Sequence, residues 1–157
     1  DHAPFRYEDP QGKKPNGEEG DFPYIPNGIP GLETRLPLLF SEGVNKGRIS
    51  LNKFVELTST NPAKLYGLYP RKGTIAIGAD ADIAIWDPKR EVTIRNEMLH
   101  HDVDYTPYEG RTVTGWPIMT LSRGQLVWND GDVLGRAGQG RFLPCGKPDM
   151  AKPKVRG

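Results

Sequence analysis

Asn61-Pro62-Ala63-Lys64-Leu65-Tyr66-Gly67-Leu68-Tyr69-Pro70-Arg71-Lys72-Gly73-Thr74-Ile75-Ala76-Ile77 is where the chain changes its period. Asn-Pro is a helix start, since proline at the first helical position gives up only an N–H that has no partner there. Ala63, Leu65 and Tyr66 fall inside that helix, and Gly67 stops it. After Pro70 the helical spacing gives way to short β-like runs, the first at 74–77. Upstream, Ser50 is a good N-cap for a helix carrying Leu51, Phe54, Val55 and Leu57, because its hydroxyl can accept from an unpaired backbone N–H. Two short helices in tandem are therefore expected before the boundary. Downstream, 83–86, 92–94, 118–121 and 126–128 read as strands, the last two joined by Ser122-Arg123-Gly124-Gln125 into a hairpin. Trp86, Trp116 and Trp128 lie in or beside these runs and are expected to fill a core.

Residues 5–30 are dense in Gly, Pro and charged side chains, without helical or alternating period, and read as one long irregular loop. An ordered loop of that length usually has a function. Residues 31–40 then place apolar side chains at 32, 36, 39 and 40, a helical face in which Pro37 either kinks the helix or tightens its first turns. Residues 131–157 show no period, and the basic side chains there outnumber the acids. That end is expected to be an extended tail lying on a partner subunit.

The chain has 157 residues, enough for one ordinary domain, but only 36% are hydrophobic, and 19 Gly with 15 Pro make up over a fifth of it. A self-contained compact fold is not expected. With 21 basic against 20 acidic residues there is no global field to draw in nucleic acid or an anionic membrane. The single cysteine, Cys145, excludes an internal disulfide and a multi-cysteine zinc site, and fits a reducing, cytoplasmic setting. No apolar run approaches the roughly 18 residues of a membrane span. The opening Asp1-His2-Ala3-Pro4-Phe5 has neither initiator Met nor signal-peptide pattern, so the chain is expected to begin in mid-protein.

Few residues are chemically suggestive alone. Asp1-His2 could ligate a metal, form an acid/base pair, or be ordinary capping residues. His100-His101, with Asp102 and Asp104 nearby, cannot easily share one ion, because adjacent side chains diverge on a strand or a helix. One ring is expected to be packed or hydrogen-bonded and the other solvated. Cys145 has no histidine near it in sequence to activate it. Gly138-Gln139-Gly140 lacks the strand and helix of a dinucleotide loop, and no Gly-x-Ser-x-Gly elbow occurs. Asn27, in Pro26-Asn27-Gly28-Ile29-Pro30-Gly31, sits in a turn that can aim main-chain groups at a ligand, or is simply a tight turn.

The joint pattern says more. Asp1-His2-Ala3-Pro4-Phe5, then Ile25-Pro26-Asn27-Gly28-Ile29-Pro30-Gly31-Leu32-Glu33-Thr34, then Thr60-Asn61-Pro62-Ala63 and Gly78-Ala79-Asp80-Ala81-Asp82 resembles the cyclic amidohydrolases. Within them the chain is similar to the dihydropyrimidinase and D-hydantoinase family, a likeness that continues through Met98-Leu99-His100-His101 and 108–117. The resemblance implies an α/β fold: the C-terminal end of a metal-dependent (β/α)8 TIM barrel in 1–70, strands of a small β-sandwich domain in 71–134, and an extended basic tail in 135–157. It implies hydrolysis of a cyclic amide or ureide, a 5,6-dihydropyrimidine or 5-substituted hydantoin, to an N-carbamoyl amino acid. It further implies two divalent metal ions, usually zinc, bridged by a carbamylated lysine that this chain does not contain. Asp1 would be both metal ligand and catalytic base/acid, and Asn27 would bind substrate largely through its backbone. The expected partners are the small cyclic substrate, the upstream part of the same subunit, and further copies in a homotetramer. Catalytically silent relatives that act as oligomeric interaction proteins, and dihydroorotases, share parts of the pattern. Asn27 favours an active enzyme, because the silent relatives usually carry another residue there.

Overall fold

The computed structural model of the chain describes residues 2–15 and 21–148. Its first part is loop, relieved only by a 3-10 turn at Phe22–Tyr24. Helix α1, Arg35–Leu39, follows and widens into a π-helical turn over Phe40–Asn45. Helix α2, Leu51–Val55, likewise widens over Glu56–Thr60 before α3, Asn61–Leu65. The rest is a four-stranded antiparallel sheet in simple sequence order: β1 Ile83–Thr93, β2 Thr112–Ser122, β3 Gln125–Asn129 and β4 Asp132–Val133. No helix among the described residues is long and apolar enough to cross a membrane.

Local chemistry explains most of these boundaries. Ser50 Oγ accepts from the Lys53 amide at 3.1 Å, the expected N-cap. Pro62 brings no N–H to the Thr58 carbonyl and its ring would crowd that oxygen, which is where the helix widens instead of running on. The two tandem helices are thus one helical run with a wide turn between them. Gly67 adopts φ 65°, the left-handed cap its sequence position suggested. Pro37 sits in the first turn of α1, buried, and tightens rather than kinks it. The expected helical face begins too early, however. Leu32 lies in the turn before α1 and is 63% exposed, and the wide turn rotates Phe40, Ser41 and Gly43 inward.

The hairpin is two residues long. Ser122 pairs with Gln125, and Arg123 and Gly124 both take positive φ (49° and 77°), the mirror-image turn whose twist matches the strands. Between β1 and β2 the register slips between Asp87 and Glu91, around Pro88, which cannot donate to the ladder. The expected run at 74–77 is not a strand: Ile75 and Ile77 are fully or almost fully exposed. No described strand lies beside it to hydrogen-bond its backbone. Instead the loop is closed by Arg71 and Lys72 against Asp80, both at 3.0 Å, and by Lys72 against Asp82.

Helices and sheet share their core. Ile94, Val113 and Trp116 are buried, with Leu38, Val92, Leu99, Tyr108 and Trp128 packed on them. Phe40 stacks on Trp86 at 5.0 Å, and Phe54 meets both rings edge-on. Ser41 Oγ accepts from the Thr114 amide and Asn45 Nδ2 donates to the Thr114 carbonyl, so the wide turn is also hydrogen-bonded to β2. Trp116 is thus buried, and Trp86 and Trp128 are half-buried against the core, so all three contribute to it as their positions suggested. The expected tail begins with β4, and from residue 134 to 148 it has no helix or strand. It runs back along its own chain, with Gly135 N donating to Val127 O at 3.0 Å and Gly146 N to Gly67 O at 2.8 Å.

Candidate functional site

Two segments far apart in the opening loop meet side by side. His2 pairs with Ile29 in a parallel bridge, and Ala3 N donates to Ile29 O at 3.0 Å. Ala3 and Pro30 are buried at this contact. The Asn27 turn is thereby placed against the start of the chain. Asp1 lies outside the described residues. His2 Nδ1 accepts from the amides of Gly31 and Leu32, both at 3.2 Å. That nitrogen is therefore engaged in shaping the turn before α1, and His2 acts here as a cap.

Asn27 itself is exposed, between Pro26 and a Gly28 with φ 79°. Only glycine enters that conformation without steric cost. Among the described residues, neither the N–H nor the C=O of Asn27 has a hydrogen-bond partner. Its neighbours' carbonyls do: Lys13 Nζ donates to Pro26 O and, at 2.5 Å, to Gly28 O. The turn thus shows an unengaged main-chain donor and acceptor between two pinned carbonyls. Sequence reading singled out Asn27 but not Lys13, one of many charged residues in a loop without period.

His100 and His101 stand nearby. His100 Nδ1 lies 2.9 Å from Glu33 Oε1, and its backbone N–H donates to Glu33 Oε2 at 2.8 Å. His101 is half-buried, with both ring nitrogens shielded and without a partner among the described residues. Burial lowers its pKa; the Glu33 carboxylate works against this, and His2 adds to it. His101 is the packed ring, because the loop at 95–111 folds onto the core beneath it, and His100 is the exposed one, as expected, with Glu33 as its hydrogen-bond partner. His2, Pro30, Gly31, Glu33, Leu99 and His101 are among the walls of a cavity of about 400 Å³.

The aspartates after the histidines have a different task. Asp104 accepts from the amides of Tyr7 at 2.6 Å and Glu8 at 3.1 Å, which hold its carboxyl below the usual range. Asp102 pairs with Arg6 at 3.1 Å, and Tyr7 rests on Tyr105. Together they fasten the opening loop to the 102–105 segment. Cys145 is exposed, with no hydrogen bond among the described residues.

No group of three or more His, Cys, Asp or Glu among the described residues could hold a metal ion. The described residues therefore do not by themselves fit the binuclear centre that the resemblance implies.

The amidohydrolase family's sequence profile matches residues 21–127. A D-phenylhydantoinase of Escherichia coli is 53% identical over 125 residues, which is 80% of this chain and 27% of that protein. A D-hydantoinase of Geobacillus stearothermophilus is 52% identical over 137 residues, 87% of this chain and 29% of that protein. Among solved structures, the dihydropyrimidinase from Brevibacillus agri superposes with a TM-score of 0.83 at 51% identity, covering 91% of this chain and 30% of its own. The chain thus spans less than a third of the length of these relatives.

Proposed function

The chain belongs to the amidohydrolase family, and from that premise we propose that the subunit it contributes to opens cyclic amides by hydrolysis. The substrate class is a 5,6-dihydropyrimidine or 5-substituted hydantoin, and the product an N-carbamoyl amino acid. The observation that carries this reading is the Asn27 turn: a free main-chain donor and acceptor, held rigidly beside the start of the chain. A cyclic ureide edge carries N–H next to C=O, and an amide donor and carbonyl acceptor on one residue are its complement. Asp1, adjoining the paired His2, would take and return the proton during ring opening.

The similarity to hydantoinases and a dihydropyrimidinase supports this ring class over dihydroorotate. In the whole subunit, residues 1–70 would complete the catalytic (β/α)8 barrel, 71–134 would add strands to a small β-sandwich, and 135–157 would reach a neighbour in a homotetramer. Two divalent ions, zinc bridged by a carbamylated lysine, would draw their remaining ligands from outside this chain.

The test is direct. The intact subunit, incubated with dihydrouracil or 5-phenylhydantoin, should release N-carbamoyl-β-alanine or N-carbamoylphenylglycine, read by chromatography. Absence of both products under conditions where a known hydantoinase is active would instead favour a silent, oligomeric interaction protein.

A further inference from the structure

The Asn27 turn is held by one side chain that no sequence motif points to. Lys13 Nζ reaches the carbonyl oxygens on both sides of Asn27, those of Pro26 and Gly28. Peptide groups are planar and trans, so a fixed Pro26 C=O fixes the opposite direction of the Asn27 N–H in the same plane. A fixed Gly28 C=O does the same beyond, and the Asn27 C=O is suspended between two immobilised planes. The positive φ of Gly28 lets both carbonyls converge on one cation. An ammonium is suited to this, with several donors and a charge to offset the two facing carbonyl dipoles.

Lys13 is itself held in place. Its backbone N–H donates to Arg6 O at 2.8 Å, closing a turn in which Gly12 N donates to Asp9 O at 2.8 Å. A Cβ on Gly12 would lie 2.0 Å from Arg6 O, so only glycine closes that turn. The ammonium stands 5.9 Å from the centre of the Phe5 ring, at the outer reach of a cation–π contact. The far side of the turn is anchored by the Asp104 carboxylate on the Tyr7 and Glu8 amides. A continuous set of contacts therefore runs from Asp104 through the 6–13 turn and Lys13 to the carbonyls that flank Asn27.

We propose that Lys13 is a positioning residue for substrate: by bridging Pro26 O and Gly28 O it orients the Asn27 main chain toward the ring amide. This rests on the reading of Asn27 given above. Lys13 touches no reacting atom, so its loss misplaces the ring without removing a chemical group. Misplacement by about 1 Å costs on the order of a hundredfold in rate.

The experiment compares Lys13→Met, Lys13→Arg and Gly28→Val in the intact subunit, with dihydrouracil as substrate. Lys13→Met should raise KM and lower kcat together, a combined loss of roughly tenfold to a hundredfold. Its melting temperature should stay near wild type, Lys13→Arg should retain more kcat/KM than Lys13→Met, and added ethylammonium should restore part of the rate. Wild-type KM and kcat in Lys13→Met alongside an impaired Gly28→Val would overturn the role of Lys13 and leave the turn reading standing. Wild-type kinetics in both variants would overturn the turn reading and Lys13 with it. A loss of rate that merely follows loss of folded protein, with KM unchanged, would reduce Lys13 to a structural residue and overturn the proposal.

Discussion

Gly28 and Asn27 are neighbours with opposite sensitivities. At φ 79° a β-branched side chain is strained, so Gly28→Val should distort the turn, raise KM and lower kcat together. Asn27→Ala keeps the main chain that is proposed to meet the ring, and should be the milder change in steady-state kinetics with dihydrouracil and a hydantoin. A harsher Asn27→Ala would mean that its side chain, not its backbone, holds the substrate. His101 gives a pH signature. Its pKa is lowered by burial, so as pH falls below about 6.5 the unfolded chain takes up a proton that the folded chain resists. The groups facing it are Glu33, His2 and its neighbour His100. Stability should therefore be complete above that pH and decline as pH drops from it toward the depressed folded value. Melting curves across that window should be flatter for His101→Gln than for wild type, and equal slopes would contradict this account of the ring.

Gly115 decides how the helices meet the sheet. It holds φ 98°, and a Cβ there would come within 2.2 Å of the Phe40 ring. Gly115→Ala should push Phe40 off Trp86 and cost about 1–3 kcal/mol from overpacking, with left-handed strain added. A clear fall in melting temperature is expected, and an unchanged one would show that the stack can slide. Elements whose signals are local were legible in the sequence: the Ser50 cap, the Gly67 stop, the 122–125 hairpin and the tryptophan core. Those that depend on distant partners were not. Residues 74–77 have strand composition but no described strand beside them, and Leu32 falls before a helix whose face is set by the wide turn after it. The Glu33–His100 pair and the Lys13 clamp join residues 67 and up to 15 positions apart, which no local period encodes.

For the whole subunit the relevant fact is proportion: this chain matches less than a third of each relative's length. The motifs common to that family, at the start of the chain and at Asn27, meet in space, whereas the described residues hold no metal-binding group. We propose a division of labour on this basis, in which this chain would supply a substrate turn at Asn27 and the Asp1 carboxylate to a centre assembled from other residues. The tail through Gly146 is hydrogen-bonded to its own chain at Val127 in β3 and at Gly67 after α3, and its continuation is proposed to reach a neighbouring subunit. Ending the subunit after Asp132 should then lower the oligomeric state seen in sedimentation, and an unchanged assembly would refute that part. The decisive measurement is hydantoin and dihydrouracil turnover by Asp1→Asn in the intact subunit, alongside its circular dichroism. Turnover should fall by roughly a hundredfold to ten-thousandfold, the range for losing an acid/base group, with the spectrum unchanged. A folded Asp1→Asn subunit that retains most of the wild-type rate would contradict the account.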